Sequence, residues 1–295
     1  MAAASPALEL PAPGDRPAAK ILRWVAKAPI HLILVALGAL WLVPTFGLFI
    51  TSILPASALA NKGWWQIFSS PSQATWANYS ALFHNQGLLD ALKTTAYIAV
   101  GNTLLVVVVG AMAGYAFAWL DFPGRDWIFI GVIALLVVPL QMALIPMFKL
   151  YDQMGIFDTV ISIVLFHAAF GLPFAIFLLR NFFVGLPKDI LESARIDGAS
   201  EITIFLRLIL PLGLPAIASL AIFQFLWTWN DLIVALTFGQ NVQPITVWIF
   251  GQLREFGTSI DVIAPASFIS LVVPLCVFFA FQRYFVQGLL AGSVK

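Results

Sequence analysis

The sequence has few of the residues that build disulfides, metal sites or enzyme active sites. It contains one cysteine, Cys276, and three histidines in separate segments, His31, His84 and His167. A lone cysteine forms no internal disulfide, and no cysteine spacing typical of a zinc or redox site is present. Because Cys276 lies in an apolar stretch, we expect it to be a buried packing residue. No nucleophile, base and orienting group form a recognisable set, so we predict no catalytic residue and no metal ligand.

Charge is equally scarce in this chain. Only 10% of the 295 residues are charged, whereas ordinary soluble domains have about a quarter. Hydrophobic residues make up 61% of the chain, and the mean hydropathy is +0.96, which indicates a protein that lies largely in a lipid bilayer. The formal net charge of +1 gives no reason to expect nucleic acid as a partner.

The sequence also lacks the parts of an energy-converting machine. It has no glycine-rich loop ending in Gly-Lys-Ser or Gly-Lys-Thr, the motif that binds nucleotide phosphates. It shows no pair of ionisable residues deep inside an apolar run, which a proton relay would need. We therefore predict a membrane pathway without a motor of its own and without a bound cofactor.

Long apolar runs predict an all-α membrane protein with six transmembrane helices. The first run, Ile30–Ile53, is too long for a cleaved signal peptide and long enough to span a bilayer. Residues 1–29 are predicted to be an N-terminal tail, and residues 30–295 the membrane domain. The aromatic stretch Leu54–Leu89 is predicted to be an interfacial loop with one short surface helix. The other five predicted spans are Thr94–Leu120, Trp127–Leu150, Thr159–Phe182, Pro211–Phe238 and Ala264–Val286.

The distribution of basic residues predicts the orientation of these six spans. With the amino terminus inside, only Lys62, Lys93, Lys149 and Arg254 of the 15 Lys and Arg residues lie on the outer side. Cytoplasmic loops of membrane proteins carry the excess of Lys and Arg. Both termini and the loop after the fourth span are therefore predicted to be cytoplasmic.

Charge, helix-capping residues and a defined spacing coincide in Leu186–Pro211, which we call the two-helix segment. Pro187 suits the start of a short helix, Gly198 the left-handed residue that ends it, and Ser200 the cap of a second helix. Two short amphipathic helices joined at a glycine suit docking into a groove of a soluble partner. The predicted apolar faces are Ile190, Leu191 and Ala194 in the first helix, and Ile202, Phe205, Leu206, Ile209 and Leu210 in the second.

The two-helix segment resembles the EAA loop, the cytoplasmic loop of permease subunits in ATP-binding-cassette (ABC) importers. The family pattern is Glu-Ala-Ala, three residues, Gly, nine residues, Ile, one residue and Leu-Pro. The spacing is intact here, and the two departures are Ser193 in the second position and Leu208 in the Ile position. By this resemblance, the residues that couple the chain to an ATPase are Glu192, Ser193, Ala194, Arg195, Asp197, Gly198, Leu210 and Pro211.

The resemblance extends from Ile30 to Lys295, where the layout is similar to the second permease of maltose-type carbohydrate importers. It implies the type I ABC importer permease fold in a bacterial inner membrane. The implied partners are a second homologous permease, two ATPase subunits that bind ATP and Mg, and an extracytoplasmic sugar-binding protein. Besides the two-helix segment, the matching stretches are Asp121–Arg125, the residues Gln141, Pro146, Tyr151 and Gly155, Trp229–Asp231, and Gln282–Gly288.

The implied function is one half of the translocation pathway of an ATP-driven importer for a di- or oligosaccharide. Sugars are neutral and rich in hydroxyl groups, so a path for them needs aromatic faces and amides rather than fixed charges. Candidates for this path are Gln141, His167, Gln224, Trp227, Trp229 and Asn230, although each also suits helix–helix hydrogen bonding or interfacial anchoring. Two other functions remain open: a permease of the same superfamily for a non-sugar solute, such as a polyamine or phosphorylated polyol, and a self-sufficient secondary transporter.

Overall fold

The structure, a computed structural model, describes residues 17–60, 63–255 and 259–291, with side chains over 28–60, 63–254 and 259–283. All regular structure in these ranges is helical, in agreement with the predicted all-α fold. The main helices are α1 (Pro17–Ser52), α2 (Gln86–Trp119), α3 (Arg125–Leu135), α4 (Leu140–Gln153), α5 (Val160–Val184), α6 (Lys188–Ile196), α7 (Glu201–Leu212), α8 (Leu214–Trp229), α9 (Ile233–Phe238), α10 (Ile245–Glu255) and α11 (Ile260–Ala291).

Four of the described helices, α1, α2, α5 and α11, are each long and apolar enough to cross a membrane. Helices α3 and α4 form a pair bent by 99°, and α7 and α8 form a pair bent by 75°. If each bent pair is one crossing, the described chain has six crossings, the number that the apolar runs predict. Pro139 caps the start of α4, and Pro215 lies in the first turn of α8, so both bends occur beside a proline.

Several predicted boundaries differ from the structure. Helix α1 begins at Pro17, so the second half of the predicted tail is helical, while residues 1–16 and Lys62 lie outside the described residues. The fifth span, predicted as one helix over 211–238, is broken after Trp229, where α8 ends and the chain continues into α9. The predicted interfacial loop contains more than one short helix, at Ala56–Leu59, Trp64–Phe68, Pro71–Gln73 and Ala77–Phe83.

Helices α2 and α5 pack against each other along most of their length. A Cβ atom at Gly110 would lie 2.8 Å from the Cβ of Ala175, and one at Gly114 would lie 3.0 Å from the Cβ of Leu179. Only residues without a side chain allow the two backbones to approach this closely. The α2–α5 pair is therefore a tightly packed unit to which the other elements attach.

A hydrophobic cluster at one end of this pair holds the two-helix segment in place. Tyr115 of α2 and Phe183 of α5 are buried against Leu191 of α6 and Ile204 of α7. Each of the last three side chains is fully buried, so the segment contributes its own residues to the core. At about 2 kcal/mol for each buried Leu, Ile or Phe, this burial fixes the segment to the bundle.

The prediction that Cys276 is buried is wrong. Its side chain is exposed on α11, and the neighbouring Leu275 and Phe279 are also exposed. Helix α11 packs against α1 and α8 with another face. Because lipid and partner chains accept apolar surface as readily as a protein core does, an apolar stretch in a membrane protein does not predict burial within its own chain.

Candidate functional site

The first helix of the two-helix segment, α6, buries one side chain and exposes the rest of its surface. Leu191 is fully buried, whereas Ile190 is 38% and Ile196 86% exposed. The predicted apolar face is thus smaller than expected, with Leu191 as its anchor and Ala194 half-buried beside it. Pro187 precedes α6 as its extended N-cap instead of being its first residue. The exposed surface of α6 is charged along its length and ends in an apolar tip at Ile196.

The turn between α6 and α7 has the geometry that the sequence predicts. Gly198 has a φ of +79°, the left-handed conformation in which an L side chain is strained. The Ala199 N–H donates to the Ala194 carbonyl at 3.0 Å, which satisfies an acceptor at the end of α6. The Ser200 hydroxyl accepts a hydrogen bond from the Thr203 N–H at 3.3 Å, so Ser200 is the cap of α7.

The apolar face predicted for the second helix is correct at Phe205, Ile209 and Leu210, which pack on the hydrophobic cluster, but its register is wrong at Ile202 and Leu206. Ile204 and Ile209 are fully buried, whereas Ile202 is 73% and Leu206 54% exposed. The cause is a π-helical turn over Phe205–Ile209, because residues five apart lie on one face of a π-helix. The predicted set of Ile202, Phe205, Leu206, Ile209 and Leu210 assumed the spacing of an α-helix throughout. Leu210 is half-buried in the structure and Pro211 is exposed.

Four side chains join the two-helix segment to the ends of α2 and α5, and we call them the inner joint: Tyr115, Trp119, Arg195 and Glu201. The Arg195 guanidinium lies 2.9 Å from the Glu201 carboxylate and also donates to the Trp119 carbonyl at 3.2 Å. The Tyr115 hydroxyl donates to the same carboxylate. The Trp119 indole N–H donates to the Phe183 carbonyl at 3.1 Å. The sequence gives no signal for this network, because Tyr115 and Glu201 are 86 residues apart.

The charged groups of the two-helix segment hold one another in the ionised form. The hydrogen bond from Arg195 lowers the pKa of the Glu201 carboxyl, and the reciprocal bond raises the pKa of Arg195. On the exposed side of α6, a hydrogen bond from Lys188 at 2.9 Å lowers the pKa of Glu192. These two ion pairs are therefore charged at neutral pH.

A second polar site lies inside the bundle, where α5 faces the break between α8 and α9. His167 is buried, and its Nδ1 lies 2.9 Å from the Ile163 carbonyl oxygen. Its Nε2 lies 3.6 Å from the Asp231 carboxylate and has no hydrogen-bond partner. Its ring contacts Trp227 edge-on, with 5.2 Å between the ring centroids. The sequence shows no pair of ionisable residues deep inside one apolar run, but the fold brings together His167 and Asp231 from two different runs.

Beside this pair is an open cleft of about 660 Å³, which we call the polar cleft. The Asp231 carboxylate caps α9 by accepting hydrogen bonds from the backbone N–H groups of Val234 at 3.3 Å and Ala235 at 3.0 Å. This cap explains why the chain breaks after Trp229 and starts a new helix. The residues that line the cleft are Phe223, Leu226, Trp227, Asn230, Asp231, Leu232 and Ile233.

The structure separates the other predicted path residues into two groups. Trp227 and Asn230 line the polar cleft, and His167 lies behind it. Gln224 is buried where α8 meets Gly171 of α5, and the Trp229 indole donates to the Ser270 carbonyl of α11 at 3.0 Å, so both also join helices. Gln141 is exposed near the start of α4 and does not line the cleft.

The sequence search did not select Asp231, although it is the acidic member of the Trp229–Asp231 run. A search for amides and aromatic faces passed over a carboxylate, and only the fold shows that this carboxylate faces His167. Among the described residues, no group of three or more His, Cys, Asp and Glu side chains could hold a metal ion. The site is thus one of neutral and charged hydrogen-bonding groups beside an aromatic ring.

Bent membrane helices around a polar cleft, with a charged two-helix projection at one end, define the class of membrane transport subunits. Residues 92–290 match the model of the family described as binding-protein-dependent transport system inner membrane component. The chain belongs to this family. It is a transmembrane permease subunit of an ABC importer, as the two-helix segment predicted.

Several curated permeases are similar to this chain over most of its length. The osmoprotective compounds uptake permease protein GgtD of Synechocystis is 45% identical over 275 residues, which cover 91% of this chain and 92% of that protein. The alpha-glucoside transport system permease protein AglG of Rhizobium meliloti is 47% identical over 77% of this chain, which spans 62% of that protein. The trehalose transport system permease protein SugB of Mycobacterium tuberculosis is 32% identical over 86% of this chain and 92% of its own.

Solved structures share the fold at lower sequence identity. A chain of a bacterial ABC transporter involved in the import of the acidic polysaccharide alginate superposes with a TM-score of 0.73 at 21% identity. The match covers 93% of this chain and 100% of that chain. A methionine ABC transporter in an inward-facing conformation matches 68% of this chain with a TM-score of 0.55. The predicted type I importer fold is therefore confirmed.

Proposed function

We propose that this chain forms one half of the pathway of an ATP-driven sugar importer and receives force from an ATPase through α6. The observation that carries this proposal is the left-handed Gly198 at the end of α6, a short helix whose exposed surface is charged. The coupling residues in this proposal are Glu192, Ser193, Ala194, Arg195, Asp197, Gly198, Leu210 and Pro211. Among them, Glu192, Arg195 and Asp197 are charged and exposed near the exposed Ile196, which suits insertion into a cleft with an apolar floor and a polar rim.

The ATP would be hydrolysed by partners, since the sequence has no phosphate-binding loop. The assembly would contain a second homologous permease, two ATPase subunits that bind ATP and Mg, and an external binding protein that delivers the sugar. The chain itself would bind no cofactor. The excess of Lys and Arg on one side supports cytoplasmic termini and a cytoplasmic two-helix segment.

The proposed mechanism is alternating access. When ATP draws the two ATPases together, each would carry its docked α6 with it. Because α6 is anchored to the core through Leu191, its displacement would tilt the membrane helices and open the central cavity outward. Hydrolysis would then return the assembly to the inward-open form.

The polar cleft supports a neutral, hydroxyl-rich substrate. The Trp227 ring supplies an aromatic face, and Asn230 supplies an amide that donates and accepts hydrogen bonds. The Nε2 of the buried His167 has no hydrogen-bond partner, and the Asp231 carboxylate 3.6 Å away lines the cleft, where it can accept a hydrogen bond from a hydroxyl group. The names of two relatives, which specify alpha-glucosides and trehalose, agree with this chemistry.

An osmoprotective compound is the second candidate substrate, because the relative that is 45% identical over 91% of this chain carries that name. Polyol osmolytes and sugars share neutral hydroxyl groups, and the same cleft suits both. Charged substrates such as polyamines would need a lining of several carboxylates, and Asp231 is the only carboxylate among the residues of the polar cleft.

The proposal is tested with proteoliposomes that contain either the purified chain alone or the complete complex. Uptake of radiolabelled trehalose, an alpha-glucoside and a charged polyamine is followed with and without internal ATP. We expect uptake of one of the two sugars by the complete complex only, and only with ATP. Uptake by the chain alone would exclude the proposed mechanism, and uptake of the polyamine in place of the sugars would exclude the proposed substrate class.

A further inference from the structure

Besides the short link from α5 into α6 and the packing of Leu191 and Ile204 in the hydrophobic cluster, two further routes attach the two-helix segment to the membrane helices. The first is the chain itself, which runs from α7 into α8. This route contains the π-helical turn Phe205–Ile209 and the 75° bend between the two helices at Gly213. An irregular turn and a sharp bend are the points at which a helix yields first under load. A displacement of α6 that travelled along this route alone would be partly lost as bending.

The second route is the inner joint, which connects the segment to α2 without passing through α7. Glu201 accepts hydrogen bonds from Tyr115 of α2 and from Arg195 of α6, so one carboxylate holds both helices. Arg195 reaches the last turn of α2 a second time, through the Trp119 carbonyl at 3.2 Å. These contacts involve charged groups, which makes each bond stronger than a neutral one.

The inner joint ends on the most tightly packed part of the molecule. Trp119 donates its indole N–H to the Phe183 carbonyl at 3.1 Å and so ties the end of α2 to the end of α5. Further along, Gly110 and Gly114 allow α2 to lie directly against α5. Two helices in such close contact move together, because their tightly packed interface leaves little room for rearrangement. A pull on Tyr115 therefore acts on both helices at once.

We infer that the inner joint transmits the displacement of α6 to the α2–α5 pair, with Tyr115 and Glu201 as positioning residues. This inference rests on the proposed function, in which an ATPase moves α6. It divides the work between the two routes: the inner joint moves α2 and α5 as a unit, while the π-helical turn and the bend let α8 change its angle to them. The polar cleft is lined by the end of α8, the break after it and the first residue of α9, so a change in the angle of α8 would shift this lining relative to the buried His167 of α5.

A lone ion pair would not suffice for this role. The Arg195 and Glu201 side chains are 36% and 43% exposed, and exposed ion pairs contribute little by themselves. Tyr115 is buried, and the hydrogen bond from its hydroxyl group holds the Glu201 carboxylate against α2. The role of the joint is therefore tested best at Tyr115 and not at the arginine.

The test uses the complete complex in proteoliposomes and the variant Tyr115→Phe. This change removes the hydroxyl group but keeps the ring, which packs on Phe205 with 5.4 Å between the ring centroids. The measured quantity is the number of substrate molecules imported per ATP hydrolysed. We expect this ratio to fall by about tenfold, the factor that corresponds to one hydrogen bond to a charged group, while the amount of bound ATPase stays unchanged.

Glu201→Gln and the double variant complete the cycle. If Tyr115 and Glu201 act together, the second change has nothing further to remove. The double variant then imports at least as much substrate per ATP as the more impaired of the two single variants. Tyr79→Phe is the matched control, because Tyr79 also loses a side-chain hydrogen bond, to Ser52 at 2.7 Å, but lies far along the chain from the two-helix segment. We expect the control to transport at the wild-type ratio.

Two results would overturn the inference. A wild-type ratio for Tyr115→Phe in a working complex would show that the chain route suffices. If transport fell only in proportion to a loss of bound ATPase, the inner joint would serve the assembly of the complex and not the transmission of movement. Failure of the proposed function is distinguishable from both, since in that case the wild-type chain itself would bind no ATPase and import nothing with ATP.

Discussion

The inner joint and the polar cleft each place an acidic side chain opposite a basic one, in opposite surroundings. Arg195 and Glu201 are 36% and 43% exposed and lie 2.9 Å apart, close enough for a direct hydrogen bond. His167 and Asp231 are 1% and 14% exposed and lie 3.6 Å apart, too far for one. The exposed pair thus forms a direct hydrogen bond, and the buried pair does not.

The two pairs differ in whether their hydrogen-bonding groups have partners within this chain. At the inner joint, the carboxylate has donors on two helices, and the arrangement is complete within this chain. In the polar cleft, the buried Nε2 of His167 has no hydrogen-bond partner, a condition that native proteins rarely tolerate without a ligand, a water molecule or another conformation. We therefore assign mechanical work to the inner joint and substrate handling to the cleft.

The largest effect is expected at Gly198, in the turn of the two-helix segment that is proposed to dock on the ATPase. Gly198→Trp puts an indole on a residue with a φ of +79°, which costs about 1–2 kcal/mol in the backbone alone, and it fills the space in front of α6. We expect ATP-driven uptake to fall to background and the ATPase to dissociate from membranes, while the chain still inserts. The measurements are uptake in proteoliposomes and the ATPase retained after washing.

Gly155→Trp is the matched control for this change. Gly155 has a φ of +69° and, like Gly198, no atom within 4 Å of a Cβ at its position, but it lies in the turn between α4 and α5. The backbone strain is similar, so retained ATPase in Gly155→Trp and lost ATPase in Gly198→Trp would assign the effect to docking. Normal uptake by Gly198→Trp would refute the docking role of the turn.

An intermediate effect is expected at Asp231, which faces His167 without a direct hydrogen bond to it. Asp231→Asn removes the charge opposite His167 but leaves one amide oxygen, which can still accept one of the two N–H groups that the separate carboxylate oxygens bind at the start of α9. We expect uptake to fall by roughly ten- to a hundredfold, the range for one hydrogen bond to a charged group, while bound ATPase is unchanged. Uptake is measured over a range of substrate concentrations to separate affinity from rate.

The turn between α4 and α5 supplies the control for Asp231→Asn. Asp158 accepts hydrogen bonds from the backbone of Asn241 at 2.8 Å and Val242 at 3.3 Å, so it caps a chain segment much as Asp231 does. It has a φ of +58°, a conformation that asparagine tolerates well. We expect Asp158→Asn to transport nearly normally. An equal loss in both variants would mean that capping, and not the charge beside His167, matters.

The comparison also shows which parts of this molecule a sequence predicts. The turn at Gly198 and the cap at Ser200 are correct because the residues that decide them are neighbours in the chain. The spans, too, follow from apolar runs, since the bilayer sets their length. The predicted face of α7 is wrong at Ile202 and Leu206 because a π-helical turn depends on what Ile204 and Ile209 pack against, and apolar spacing does not report that.

The contacts that carry the proposals were beyond sequence reasoning for the same reason. Glu201 pairs with a residue of α2, and Asp231 faces a residue of α5, so both depend on how helices cross. Sequence reasoning selected His167 and Trp227 as polar and aromatic groups inside spans, and the fold brings these two together. It also selected Gln141, which the structure leaves exposed and outside the cleft.

The smallest effect is expected at Glu192, and it would show which part of the two-helix segment touches the ATPase. Glu192 pairs with Lys188 one turn earlier on α6, and both side chains are largely open to solvent. The hydrogen bond from Lys188 holds the pKa of Glu192 below its ordinary value. A carboxyl with a lowered pKa stabilises the fold above its unfolded pKa and loses this contribution only as the pH falls through the lowered value. At neutral pH the pair is therefore intact, and pH changes around neutrality should not alter coupling.

Swapping the two charges separates the pair from a contact with the partner. Glu192→Lys alone should reduce substrate-stimulated ATP hydrolysis several-fold, by breaking both the pair and the contact. Lys188→Glu together with Glu192→Lys restores an ion pair within α6, in the more favourable order of Glu before Lys along the helix, but leaves the wrong charge facing the partner. If Glu192 contacts the ATPase, the double variant stays impaired. Recovery of stimulated hydrolysis in the double variant would restrict Glu192 to holding α6 together and leave Arg195 and the apolar tip at Ile196 as the docking residues.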